Sequence, residues 1–149
     1  MLRVSRLTDY ALVLLTRLAG CGDAPQSAQA LAQATRLQPP MVSKALKQLC
    51  QSGWISSIRG SKGGYVLTRD AAQIAVLDVV EAFEGPIVLA QCESQDGACT
   101  LHESCRLRPH WQLINNRLRR ELAALSVAEL SQPPRIADLP AREAPVHEQ

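Results

Sequence analysis

The sequence predicts a mostly α-helical chain with one small β-hairpin, and three observations lead there. Aromatic residues are only 3% of a chain that is 46% apolar, so Leu, Ala and Val must fill the core, which favours helices. Apolar residues recur at three- and four-residue spacing through the first fifty positions and again from 109 to 125. Between 54 and 69 the pattern changes to two β-branched, aromatic-containing runs, WISSI and YVLTR, joined by RGSKGG. At 149 residues the chain suffices for one ordinary domain, or a small domain with an added element.

The first helix is expected from about Thr8 to Ala19, with Leu7, Ala11, Leu14, Leu15 and Leu18 on one face. Ser5 or Thr8 can cap its start, and Gly20-Cys21-Gly22-Asp23 followed by Pro25 ends it. Ser27 can cap a short second helix, AQALAQA, and Thr35-Arg36-Leu37-Gln38 reads as a turn. Pro39 sits at the first position of a third helix, where its missing N–H costs nothing. That helix buries Val42, Ala45, Leu46 and Leu49, and Gly53 stops it. The hairpin comes next, with Arg59 and Lys62 on its glycine-rich tip. A helix from about Val76 to Glu84 ends at Gly85-Pro86. After a polar segment a long helix runs from Pro109 to Leu125, with Trp111, Ile114, Leu118, Leu122 and Leu125 spaced close to a heptad seam. Ser126 and Glu129 form a capping box for a last short turn. Beyond Ser131 four prolines and no periodicity predict a disordered tail.

Helix, helix, helix, hairpin is the order of a winged helix-turn-helix. Three parts are expected: a DNA-binding domain over 1–80, a cysteine loop with a dimerisation helix over 81–130, and the tail, 131–149. Such a motif sets its second helix in the major groove, near whose N-terminus side chains meet base edges. Here those are Gln38, Ser43, Lys44 and Lys47, while Arg59 and Lys62 can enter the minor groove or grip phosphate. Singly, each reads more readily as an ordinary solvated side chain. Together they sit in the basic half: residues 1–80 carry nine Lys or Arg against four Asp or Glu, and residues 81–149 carry seven against ten. The expected partner is double-stranded DNA.

Three of the five cysteines, Cys92, Cys99 and Cys105, lie within CESQDGACTLHESC, a stretch too polar to bury them as core thiols. Spacers of six and five residues are long for zinc knuckles and suit a larger iron–sulfur cluster, although zinc and a disulfide switch stay open. Cys21 and Cys50, on predicted helices, read as core thiols. Leu18-Ala19-Gly20-Cys21 resembles an export cleavage box, but Asp9 and Arg17 leave only seven uncharged residues before it, too few for a signal core. No segment approaches a membrane span, and the cysteine usage fits a reducing cytoplasm.

RLTDYAL, LQPPMVSKALKQL, RGSKGGYVL, VVEAFEGPI and then C-x6-C-x5-C together resemble the IscR/NsrR family over residues 1 to about 130. Members are dimeric winged-helix transcription regulators that sense iron–sulfur status, redox state or nitric oxide, and this chain is most similar to regulators of the SUF assembly operon. The resemblance implies a [2Fe-2S] or [4Fe-4S] cluster on Cys92, Cys99 and Cys105. Its assembly-repressor branch uses a His three residues after the last cysteine; here that residue is Arg108, which cannot ligate iron. The nitric-oxide-sensing branch uses an Asp from the partner's first helix, which matches Asp9, with His102 and His110 as alternatives. The expected protein is a homodimeric repressor of cluster-assembly genes, not an enzyme, with no membrane and no small-molecule substrate. The competing reading is a winged module that binds protein, with a zinc or thiol-switch site.

Overall fold

The structure is a computed structural model that describes residues 3–90 and 105–134. Six α-helices and a two-stranded antiparallel sheet occur in it, in the order α1 (Arg6–Ala19), α2 (Ala28–Thr35), α3 (Pro39–Gln51), β1 (Ile55–Ile58), β2 (Gly64–Leu67), α4 (Val76–Glu84), α5 (Arg108–Ala124) and α6 (Val127–Leu130). A 3-10 turn at Ala71–Gln73, which the periodicity does not announce, precedes α4 and is capped by Asp70.

Helix α1 begins two residues earlier than its spacing suggests because Ser5 is the cap, accepting the Thr8 N–H at 3.3 Å. Thr8 therefore lies inside the helix, fully buried. The α1 stripe of Ala11, Leu14, Leu15 and Leu18 packs on Leu31 of α2 and on Val42, Ala45, Leu46 and Leu49 of α3. Arg36 closes α2 in the left-handed region at φ 57°, so the chain turns sharply before Pro39 opens α3. The half-buried Cys50 packs against this core, and burial pushes its thiol pKa up. Cys21, expected on a helix, lies in the turn after α1, where its thiol donates to Arg17 O at 3.3 Å.

The hairpin pairs Ile55 with Leu67 and Ile58 with Gly64. A third chain joins it, for Gln26 and Tyr65 exchange N–H···O bonds of 3.0 and 2.8 Å. Gly64 makes that approach possible: a Cβ there would stand 2.6 Å from the Gln26 carbonyl. Gly64→Ala should lower stability by about 1–3 kcal/mol and loosen the wing, because backbone on both sides must move. Thermal unfolding and amide exchange at Tyr65 check this, and wild-type values for both would refute the close-packing account.

The chain returns to this core at its far end. Val127 is fully buried among the α1 residues and the 3-10 turn, and the expected capping box of Ser126 and Glu129 is present. Helix α5 does not bury its seam on one surface. Leu118 and Leu122 pack on Val76, Leu77, Val80 and Ile87, whereas Trp111, Ile114 and Leu125 remain exposed. The seam is continuous in sequence, but α4 reaches only its C-terminal half. The expected tail falls on 131–149, of which 135–149 lie outside the described residues.

Candidate nucleic-acid interface and cysteine site

The α2–turn–α3 unit exposes the side chains that the sequence points to. Gln38 is the residue before α3, and Ser43, Lys44 and Lys47 lie on the solvent side of α3, opposite the buried Val42, Ala45, Leu46 and Leu49. All four are exposed, and so are Arg59 and Lys62 on the tip between β1 and β2. Gly63 keeps that tip tight, since a Cβ there would meet the Ile58 carbonyl at 2.1 Å. Arg36 is also exposed in the turn between the motif helices, a basic group missed because it reads as turn punctuation. So is the role of Gln26, which braces the wing from a stretch, Ala-Pro-Gln-Ser, with no strand signal.

Of the cysteine set, Cys105 lies within the described residues, while Cys92, Cys99 and His102 lie outside them. Cys105 is half-buried, unpaired with another cysteine, and sits where the chain turns into α5; its carbonyl accepts the Arg108 N–H at 3.3 Å. His110 is exposed one turn further on, with Nδ1 3.3 Å from the Arg106 carbonyl. Asp9 is exposed in the first turn of α1, its N–H donating to Ser5 O at 3.1 Å. Among the described residues no three His, Cys, Asp or Glu side chains gather as a metal site.

A carboxylate that the sequence does not flag ties the start of α1 to the end of α4. Glu84 accepts the Ser5 N–H at 2.9 Å and the Thr8 hydroxyl, 76 residues apart in sequence. These Ser5 and Thr8 bonds hold its pKa below the usual carboxylate value. The stabilisation is therefore present above the unfolded pKa and is lost as pH falls through the lower, folded one. The same contact anchors the helix turn that carries Asp9 to the chain eight residues before Cys92. A cavity of about 300 Å³ borders it, lined by Arg3, Val4, Glu84, Pro86, Ile87 and Val88 among others. No helix among the described residues is long and apolar enough to cross a membrane.

Comparison with known proteins agrees with this geometry. The sequence profile of the Rrf2 family, described as iron-dependent transcriptional regulators, matches residues 4–133. Protein aau3 of Rhizobium meliloti is 29% identical over 99% of this chain and 97% of its own length. The transcriptional regulator IscR of Photorhabdus laumondii is 29% identical over 64% of this chain, which spans 58% of that protein. Among solved structures, CymR, the global cysteine regulator of B. subtilis, superposes with a TM-score of 0.71 at 28% identity, covering 88% of this chain and 97% of CymR. IscR of T. potens superposes with a TM-score of 0.65 at 23% identity, covering 87% and 85%, a likeness of fold.

Proposed function

The chain belongs to the Rrf2 family of iron-dependent transcriptional regulators, and from that premise we propose a cytoplasmic homodimeric repressor whose DNA affinity answers to an iron–sulfur cluster. Membership makes it a DNA-binding regulator rather than an enzyme. The observation that carries the DNA reading is that Gln38 just before α3, Ser43, Lys44 and Lys47 on it, and Arg59 and Lys62 on the wing all stand exposed, held there by one buried core. Ser and Lys can bond base edges at the start of α3, and the wing cations suit phosphate or a narrow minor groove. Cluster-assembly genes of the SUF type are the proposed targets.

Cys92, Cys99 and Cys105 would hold the cluster, [2Fe-2S] or [4Fe-4S]; three thiolates supply the soft donors it needs. When bound, it supplies an iron centre open to oxidant or nitric oxide. Asp9 of the partner subunit is the proposed fourth donor, with His102 or His110 as alternatives. In support, Asp9 is exposed in the first turn of α1, where its carboxylate is open to a second copy of the chain. Arg108, at the position that His holds in the assembly-repressor branch, offers no ligand to iron or zinc and is the observation favouring a thiol-switch site instead. Iron and sulfide measured after anaerobic purification separate the readings.

Operator affinity titrated against salt tests the DNA interface, because each phosphate contact releases counterions. Lys44→Ala and Arg59→Ala should each lose about 1–3 kcal/mol of binding where they touch a base, or flatten the salt slope where they touch phosphate. Neither should change the unfolding temperature. Undiminished affinity and slope in either variant would take that residue out of the interface.

A further inference from the structure

Two places pin α5 to the rest of the chain. At its C-terminal end the Val76 N–H donates to Leu125 O and the Val127 N–H to Ile74 O, both at 2.9 Å. Nearer its start two side chains converge on the backbone of one residue, and a third holds one of them. Asn115 Nδ2 donates to Ile87 O at 3.1 Å, and the Ile87 N–H donates to Glu81 Oε1 at 3.2 Å. Arg119 pairs with the same carboxylate, Nη2 to Oε2 at 3.2 Å. Ile87 is thus gripped through both its polar groups, one by α4 and the other by α5.

Contacts between the pins are apolar, Leu118 and Leu122 on Val76, Leu77 and Val80, and such contacts are non-directional. A helix held at one end can swing over them; a second, directional pin about 15 Å along the axis fixes its course. Asn115 is costly as packing. It is 8% exposed, and its Oδ1 is buried with no hydrogen-bond partner among the described residues. An apolar side chain of that shape would avoid the desolvation cost. Its donor is what the position uses.

We infer that Asn115 and Glu81, the latter held by Arg119, clamp the Ile87 backbone to set the direction of α5 against the reading head, and thereby the half-site spacing that the dimer accepts. This rests on the dimeric DNA-binding reading above. The exposed N-terminal half of α5 projects beyond the clamp, so two copies joined there place their α3 helices at a separation the clamp dictates. These are positioning residues, which need not touch DNA.

The test uses the full chain and Asn115→Leu, which removes the donor and the unpartnered oxygen while keeping the volume. Duplexes are first enriched from a random pool by wild-type protein, then remade with the spacer between half-sites changed by one base pair. Wild type should discriminate against the altered spacers by about tenfold, and Asn115→Leu by about threefold or less, at equal dimer mass and an unfolding temperature no lower than wild type. Arg119→Gln, at a partly exposed position, should narrow the discrimination in the same direction and carries the test if Asn115→Leu fails to fold. Variants with the wild-type spacing preference overturn the inference alone. A wild type that enriches no duplex, or shows no spacing preference, overturns the dimeric reading and the inference with it.

Discussion

With Trp111 and Ile114 both changed to Glu, the protein should sediment as a folded monomer and lose most of its operator affinity. These side chains are 39% and 45% exposed on the part of α5 that α4 does not cover, and Leu107, just before the helix, is 61% exposed. Spaced at four and three residues, they form one apolar face at helical period. Covering such side chains in a dimer is worth about 1.5–3 kcal/mol each when burial is complete. Carboxylates in their place would each have to be desolvated without a partner, costing several kcal/mol per ion, so the interface would not form. Operator binding falls with it, because a monomer offers one reading helix to a two-half-site operator. Leu118→Glu with Leu122→Glu is a different experiment: both pack on α4 within one chain, so that pair should unfold the α4–α5 contact. A Trp111, Ile114 double variant that stays dimeric in sedimentation at micromolar concentration would place the interface elsewhere.

Loss of iron and sulfide to background is the expected result for Cys105→Ala. A cluster left with two of its three thiolates lacks the donors to hold it, and Cys105 stands at the turn into α5, where no other cysteine among the described residues can take its place. Cys21→Ala and Cys50→Ala should keep wild-type iron, since one thiol bonds Arg17 O and the other packs against the α1–α3 core. On the proposed ligand set, Asp9→Ala should retain a shorter-lived cluster or exchange the ligand, because one weak carboxylate would be lost and three thiolates would remain. Operator affinity of the iron-loaded wild type should differ from that of the iron-free protein, and of Cys105→Ala, by more than about tenfold. Equal affinity of loaded and unloaded protein on every enriched duplex would reduce the cysteine site to a structural staple. Full iron in Cys105→Ala would remove Cys105 from the ligand set.

Much of the reading head was legible in the chain because its signals are local. Ser27 caps α2, Pro39 opens α3, and Val42, Ala45, Leu46 and Leu49 repeat at helical period and are buried. Exposure of Ser43, Lys44 and Lys47 follows from that same period. Gly63 and Gly64 mark the wing as a turn, and the tight contact of Gly63 with Ile58 is local to it, but that of Gly64 with Gln26 depends on chain brought from elsewhere. The cysteine spacing, too, is visible without any coordinates.

What the sequence determined by itself is therefore the main helices and the hairpin, the apolar stripe on each helix, and the residue types proposed for DNA and for a metal centre. These depend on neighbours three or four positions away. Tertiary structure decided which surfaces meet. Periodicity shows one seam on α5, yet only Leu118 and Leu122 find α4, because a short helix of nine residues cannot cover a seam that runs the length of a seventeen-residue one. Glu84 reads as an ordinary helix-end carboxylate until folding brings Ser5 and Thr8 to it. Asn115 and Glu81 read as solvated positions until both reach the Ile87 backbone. A hydrogen bond needs its partner within about 3 Å at a suitable angle, and for residues 28 or 76 positions apart only the folded chain sets that distance.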